Sequence, residues 1–275
     1  MSTVTAAAKR EHRVTARSLQ RRKRRGEPFA MLTAYDFAFA RMFDRAGIDV
    51  LLVGDSVGNT VQGQETTLPV TLDEVVYHSR MVARGASRAL VVGDMPFGSY
   101  QVSSEDALRS AIRLVKEGGV AAVKLEGGRS ARAAIERIVG AEIPVMGHVG
   151  LTPQAIHRMG GYRVQGRSDA GRERVIADAL AVEAAGAFAV VLEGVPAGLA
   201  REITGKLAIP TIGIGAGVDC DGQVLVMHDL LGMSEWTPSF AKPYANVGAL
   251  VSLAARSFAE EVAHRKFPGD EHSYR

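Results

Sequence analysis

From Phe29 onward the chain alternates short apolar runs, rich in β-branched and aliphatic residues, with longer stretches whose apolar positions recur at helical spacing. The runs occupy residues 29–33, 50–53, 90–92, 121–125, 144–147, 189–192, 211–214 and 224–227. Eight such strand and helix units in roughly 250 residues predict an α/β fold, a (β/α)8 TIM barrel. The intervening stretches carry helix signals of their own. Phe37, Ala40 and Phe43 share one helical face, and Gly47 follows where a left-handed cap is expected. Thr71 to Glu74 reads as a capping box, Ser103 to Asp106 as a similar start, and Thr152-Pro153 as a cap followed by a first-turn proline. Residues 46–54, 118–126 and 185–193 repeat one grammar of helix end, glycine, apolar strand, and acid or glycine, which marks the helix-to-strand joint of a repeating unit.

Composition adds bounds. A chain of 275 residues that is 47% hydrophobic can fill one large barrel. The single Cys220 excludes an internal disulfide framework, and no apolar run reaches the roughly 18 residues of a membrane span. A reducing, cytoplasmic setting is the default expectation. No linker rich in Pro, Gly or Ser divides the chain, so the expected organisation is a basic leader with a short N-terminal helix over 1–27, a catalytic barrel over 28–266 and a flexible tail over 267–275.

The pI near 9.1 comes from the leader, which carries nine Lys/Arg against Glu11 and Glu27, whereas residues 28–275 have a net charge of −4. The run Arg21 to Arg25 lacks interleaved aromatics for base stacking, so it reads as a solvated segment rather than a nucleic-acid surface. An Arg-rich transit peptide is a second reading, without the apolar core of a secretory signal. On the solvated reading, removal of residues 1 to 25 spares an enzyme and cripples a polyanion binder.

In a barrel of this kind catalytic groups come from the C-terminal ends of strands. Asp55, Asp94, Glu126 and Glu193 each close an apolar run, which puts four carboxylates around one mouth. Such a cluster repels itself unless a cation or protons neutralise it. Asp55, Asp94 and Glu126 belong to consecutive strands, and oxygen-only donors suit Mg²⁺ or a similar hard ion. Loop caps or arginine pairs are the alternative. Lys124 lies two residues before Glu126 and therefore faces the same way, either toward a substrate carboxylate or into an ion pair with Glu126 or Asp94. Glu193 stands apart as a candidate base, and His148 is either a donor to an oxyanion or ligand or a structural histidine. The run Gly213 to Gly217 lacks dinucleotide-binding spacing and reads as a tight turn.

Several longer motifs carry a resemblance: Met31-Leu-Thr-Ala-Tyr-Asp36, Val53-Gly-Asp-Ser56, Thr66 to Asp73, Gly93-Asp-Met-Pro-Phe-Gly98, Val123-Lys-Leu-Glu-Gly127, Gly147-His-Val-Gly-Leu-Thr-Pro-Gln154, Gly160 to Arg167 and Ile209 to Gly217. Over roughly residues 15 to 255 the chain resembles the ketopantoate hydroxymethyltransferase family. The resemblance implies transfer of a one-carbon unit from 5,10-methylenetetrahydrofolate to 3-methyl-2-oxobutanoate, giving 2-dehydropantoate for pantothenate and coenzyme A synthesis. It implies Mg²⁺ on Asp55, Asp94 and Glu126, the keto acid on Asp55, Ser56, Asp94 and Lys124, and Glu193 as proton acceptor. His148 and Tyr35 fall within family motifs and are expected to line the site. A cytoplasmic homo-oligomer, often a decamer, with no nucleic-acid or membrane partner is also implied. Gly194 departs from the pattern, since many relatives carry a larger residue there. The competing enzyme reading is a Mg²⁺-dependent 2-oxo-acid lyase or mutase of the phosphoenolpyruvate mutase and isocitrate lyase type. The competing reading from another class is a polyanion-binding protein acting through the leader.

Overall fold

The computed structural model describes residues 13–234 and 236–274, so the first part of the basic leader, residues 1–12, lies outside the described residues. Two units are distinguished, Met1–Val224 and Leu225–Arg275. Parallel strands β1 (Phe29–Thr33), β2 (Val50–Val53), β3 (Leu90–Asp94), β4 (Ala122–Glu126), β5 (Val145–Gly150), β6 (Ala189–Glu193), β7 (Thr211–Ile214) and β8 (Gly222–Leu225) close into a barrel in sequence order. The Phe29 N–H donates to the Asp221 carbonyl at 3.2 Å, where the first strand meets the start of the last. Helices Phe37–Arg45, Leu72–Gly85, Ser104–Lys116, Arg132–Val139, Asp169–Ala184 and Ala197–Lys206 supply the crossovers.

Local chemistry sets the helix ends. Thr71 and Glu74 form the reciprocal capping box, and the Ser103 hydroxyl accepts from the Asp106 N–H at 3.1 Å. Ala40 and Phe43 face inward, and Gly47 takes a φ of 88° just past the helix end. Two expectations need correction. Thr152 makes no cap bond, and Pro153 opens a 3₁₀ turn, Pro153–Ala155, before one α-helical turn, Ile156–Met159. The eighth strand starts two residues earlier than its apolar run, because Gly222 and Gln223 pair with Ile212 and Gly213 while Met227 already begins a helix. Helix Asp169–Ala184 approaches β5 so closely that a Cβ on Gly147 would lie 2.3 Å from Val182 Cγ1.

The barrel interior is apolar at its N-terminal end, where Met31, Val50, Leu52, Leu90, Val92, Ala122, Met146, Ala189, Val191 and Ile212 form one cluster. Val14 and Leu19 join that cluster, so the expected short helix is present but packs against the barrel, while Arg21, Arg24 and Arg25 stay exposed as the solvated reading has them. The charge run lies on helix Ala16–Arg25, whose Leu19 is fully buried. Arg22 pairs with Asp49 at 2.8 Å, and Lys23 reaches both Asp221 Oδ2 at 2.8 Å and the Thr204 carbonyl at 2.9 Å. The helix therefore stops the bottom of the barrel with one apolar side chain and ties itself to the rim with its charges.

At the same end Asp44 accepts backbone N–H bonds from Ser87, Arg88 and Ala89 at 3.0, 3.0 and 2.7 Å, and a 2.7 Å bond from the Ser87 hydroxyl. Burial works to raise its pKa, but the Ala89, Ser87 and Arg88 donors outweigh it and hold the carboxyl below its usual value. In the second unit, helices Met227–Leu231 and Val247–Ala263 are present, the latter capped by Asn246 and exposing Leu250, Leu253 and Phe258.

Two outcomes are expected. Leu19→Ala costs about 3 kcal/mol by the cavity it opens, and deletion of residues 1 to 25 lowers the melting temperature further, whereas a solvated leader would leave it unchanged. For Asp44, the folded state binds the proton more weakly than the unfolded chain, so its stabilisation is full above the usual carboxylate pKa and is lost as pH falls through the lowered folded value. Urea titrations should show Asp44→Asn losing about 2 kcal/mol at neutral pH, with the difference shrinking in acid.

Candidate active site

The period of two along each strand carries the barrel interior from apolar to ionisable. Val92 faces inward, and so does Asp94; Ala122 is followed inward by Lys124 and Glu126, Met146 by His148, and Val191 by Glu193. Register then sets these positions side by side, Asp94 against Lys124 and Glu126 against His148. Asp55 follows β2 across Gly54, in a turn closed by the Val57 N–H to the Gly54 carbonyl at 3.1 Å.

Lys124 Nζ donates to both oxygens of Asp94 at 2.8 Å, with both side chains almost completely buried. Of the two options left open for Lys124, the ion pair is present and its partner is Asp94. Burial opposes the Lys124 charge, but Asp94, Glu126 and Asp55 outweigh it and raise its pKa. Burial, joined by the Asp55 charge, pushes Asp94 up to about 7 against the pull of Lys124. Glu126 is raised well above its usual value by burial and then by Asp55. The causes are common to both acids: burial first, then the Asp55 charge, against the pull of the one ammonium.

Gln154, on the turn after β5, joins two of the acids. Its Nε2 donates to Asp55 Oδ2 at 2.9 Å, and its backbone N–H donates to Glu126 Oε2 at 3.0 Å. His148 lies between the remaining pair, with Nδ1 3.5 Å from Glu126 Oε1 and Nε2 3.2 Å from Glu193 Oε2. Both ring nitrogens thus face carboxylates of the mouth, and the closer contact is the one to Glu193. Burial and then the Lys124 charge lower its pKa, which keeps the ring neutral. Tyr35 OH contacts Ser56 Oγ at 2.8 Å, and its pKa is raised by burial. All eight residues expected at the site therefore meet at the C-terminal mouth or directly beside it.

Among the described residues no three His, Cys, Asp or Glu side chains already surround one point as an ion cage. The carboxylate oxygens are turned instead to Lys124 and Gln154. In donor chemistry Asp55, Asp94 and Glu126 fit a hard divalent cation: all are oxygen ligands, and their surplus negative charge is what such an ion offsets.

A sequence model of ketopantoate hydroxymethyltransferase matches residues 13–270. The chain belongs to the ketopantoate hydroxymethyltransferase family. It is 57% identical over 265 residues to the 3-methyl-2-oxobutanoate hydroxymethyltransferase of Syntrophotalea carbinolica, covering 96% of this chain and 99% of that one. It is 56% identical over 266 residues to the enzyme of the same name from Frankia alni, with coverage of 96% and 88%. Among solved structures it is similar to 2,3-dimethylmalate lyase, a member of the phosphoenolpyruvate mutase and isocitrate lyase superfamily, at TM-score 0.60 and 20% identity over 92% of this chain and 89% of that chain. Phosphonopyruvate hydrolase in complex with oxalate and Mg²⁺ gives TM-score 0.61 at 12% identity, covering 94% and 93%. At such identities these two neighbours share the fold alone, and the lyase or mutase reading gains nothing more from them.

Family motifs led to the mouth but not to every residue in it. Gln154 ends the family motif that begins at Gly147, yet nothing in its residue type announced a bridge between two acids. Tyr100 had no signal at all; its hydroxyl donates to Gln154 Oε1 at 2.7 Å and accepts from the Glu126 N–H at 3.2 Å. Gly194, the departure from the family pattern, has a φ of 56°, a region that glycine enters without strain.

The buried pair supplies a stability test. Lys124→Met should cost about 3 kcal/mol in urea denaturation, because it strands Asp94 among like charges, and adding Asp94→Asn should recover most of the loss. An unchanged denaturation midpoint for Lys124→Met would contradict the electrostatic account.

Proposed function

We propose that this chain transfers the one-carbon unit of 5,10-methylenetetrahydrofolate to 3-methyl-2-oxobutanoate, giving 2-dehydropantoate on the route to pantothenate. Near-full-length identity to enzymes of that name carries the reading. The barrel, residues 28–266, is assigned the chemistry, with Asp55, Asp94 and Glu126 as the holders of Mg²⁺. Mg²⁺, when bound there, supplies Lewis-acid polarisation of the substrate carbonyl, which acidifies C3.

The chain's own residues do the rest. Lys124, kept protonated by its acidic neighbours, meets the substrate carboxylate, and Asp55, Ser56 and Asp94 complete the keto-acid site. Ser56 is oriented for this by the Tyr35 hydroxyl. Glu193 takes the C3 proton, beside a neutral His148 that can donate from Nε2 and so aim the Glu193 carboxylate. The substrate enolate then forms the new carbon–carbon bond to the folate methylene carbon, and water supplies the hydroxyl oxygen as tetrahydrofolate leaves. Holding both reactants over the mouth replaces a bimolecular encounter by an oriented one.

Among the described residues no helix is long and apolar enough to cross a membrane. The cytoplasm is the proposed compartment. A homo-oligomer is the proposed assembly, with the decamer implied by the family resemblance, and the exposed apolar residues of helix Val247–Ala263 support self-association.

The decisive measurement is solvent-deuterium exchange at C3 of 3-methyl-2-oxobutanoate with Mg²⁺, followed by NMR without folate. The parent should exchange, and Glu193→Gln should lose a factor of about 10²–10⁴, with Asp94→Asn similarly impaired. Undiminished exchange in Glu193→Gln removes it as the base, and exchange that ignores Mg²⁺ removes the metal role.

A further inference from the structure

Gln154 is buried and uses every hydrogen-bonding position of its amide. Nε2 donates to Asp55 Oδ2 at 2.9 Å and to the Met95 carbonyl at 3.0 Å. Oε1 accepts from Tyr100 OH at 2.7 Å and from Gln101 Nε2 at 3.2 Å. The amide cannot be reversed, because a carboxylate oxygen and a carbonyl oxygen only accept and Nε2 must face them. A directional chain results, from the Glu126 N–H to Tyr100 OH, to Gln154 Oε1, and on from Nε2 to Asp55. The Gln154 backbone N–H closes the loop on Glu126 Oε2 at 3.0 Å. One residue from the turn after β5 thus touches the Asp55 and Glu126 carboxylates and the carbonyl next to Asp94.

We infer that Gln154 is a positioning residue that aims the Asp55 and Glu126 carboxylates for a divalent cation. This rests on the reading of Asp55, Asp94 and Glu126 as the metal group. By holding Oδ2 of Asp55 and Oε2 of Glu126, Gln154 sets the direction of each carboxylate's other oxygen. A glutamate at this position would turn lone pairs toward Asp55 and Met95, and an apolar residue would leave Asp55 free to rotate while the backbone N–H still held Glu126. Ligand orientation by such partners is worth about 10–100-fold in metal affinity.

The test titrates Mn²⁺ into the full chain and follows free Mn²⁺ by EPR, alongside near-UV circular dichroism and thermal melting. Gln154→Met, which preserves volume and the backbone N–H, should weaken Mn²⁺ binding about 10–100-fold with an unchanged near-UV spectrum. Its KM for Mg²⁺ should rise in parallel while kcat returns toward the parent's at saturating Mg²⁺. Should Gln154→Met fail to fold, Tyr100→Phe removes the hydroxyl that orients Oε1 and should weaken Mn²⁺ binding in the same direction. Parent-like Mn²⁺ affinity in the folded variant, whatever its melting temperature, overturns the inference and leaves Gln154 a structural residue. A parent that binds no Mn²⁺ overturns the metal reading itself, and the inference with it.

Discussion

Three carboxylates and one ammonium are buried together at the C-terminal end of the barrel, and the rest of the site is arranged around that imbalance. Lys124 gives its charge to Asp94 through two 2.8 Å contacts, and among the described residues no Lys or Arg pairs with Asp55 or Glu126. Gln154 supplies neutral donors instead, Nε2 to Asp55 and its backbone N–H to Glu126. Neutral hydrogen bonds hold the acids in position without discharging them, so their mutual repulsion is left for a proton or a cation to relieve. The same field lifts Asp94 and Glu126 away from ordinary carboxylate behaviour.

Such a site is costly to fold, and the stabilising contributions lie elsewhere in the same barrel. Below the ionisable layer the inward side chains are aliphatic, and the bottom is stopped by Val14 and Leu19. Charges at that end are matched: Asp49 meets Arg22 and Arg88, and Asp221 meets Lys23. One end of each strand is thus specialised for packing and the other for chemistry, as the barrel architecture permits. The basic helix belongs to the packing end, where Arg22 and Lys23 are tied to Asp49 and Asp221.

His148 shows why proximity alone does not assign a role. It stands between Glu126, placed with the metal group, and Glu193, placed as the base. Its neutrality follows from burial and from Lys124, an effect transmitted through space from the neighbouring strand.

How much of this was legible in the sequence depends on the range of the interaction. Alternation of apolar residues is a local property, so all eight strands were found to within three residues, together with the acids that end or follow four of them. Capping at Thr71 and Ser103 is local too and was read correctly. Thr152 was not: its hydroxyl is turned to Met159 Sδ at 3.9 Å and makes no cap bond. Leu19 inside a run of arginines looked solvated, since one apolar side chain gives no periodicity in so basic a segment. The pairing of Lys124 with Asp94 rather than Glu126 is decided by the register of β3 on β4, separated by 30 residues. Gln154 reaches Asp55 across 99 residues. The sequence by itself determined the barrel and the carboxylates at its mouth, because strand periodicity is written along the chain. Only the tertiary structure decided which charge meets which, because that follows from strand register and loop closure.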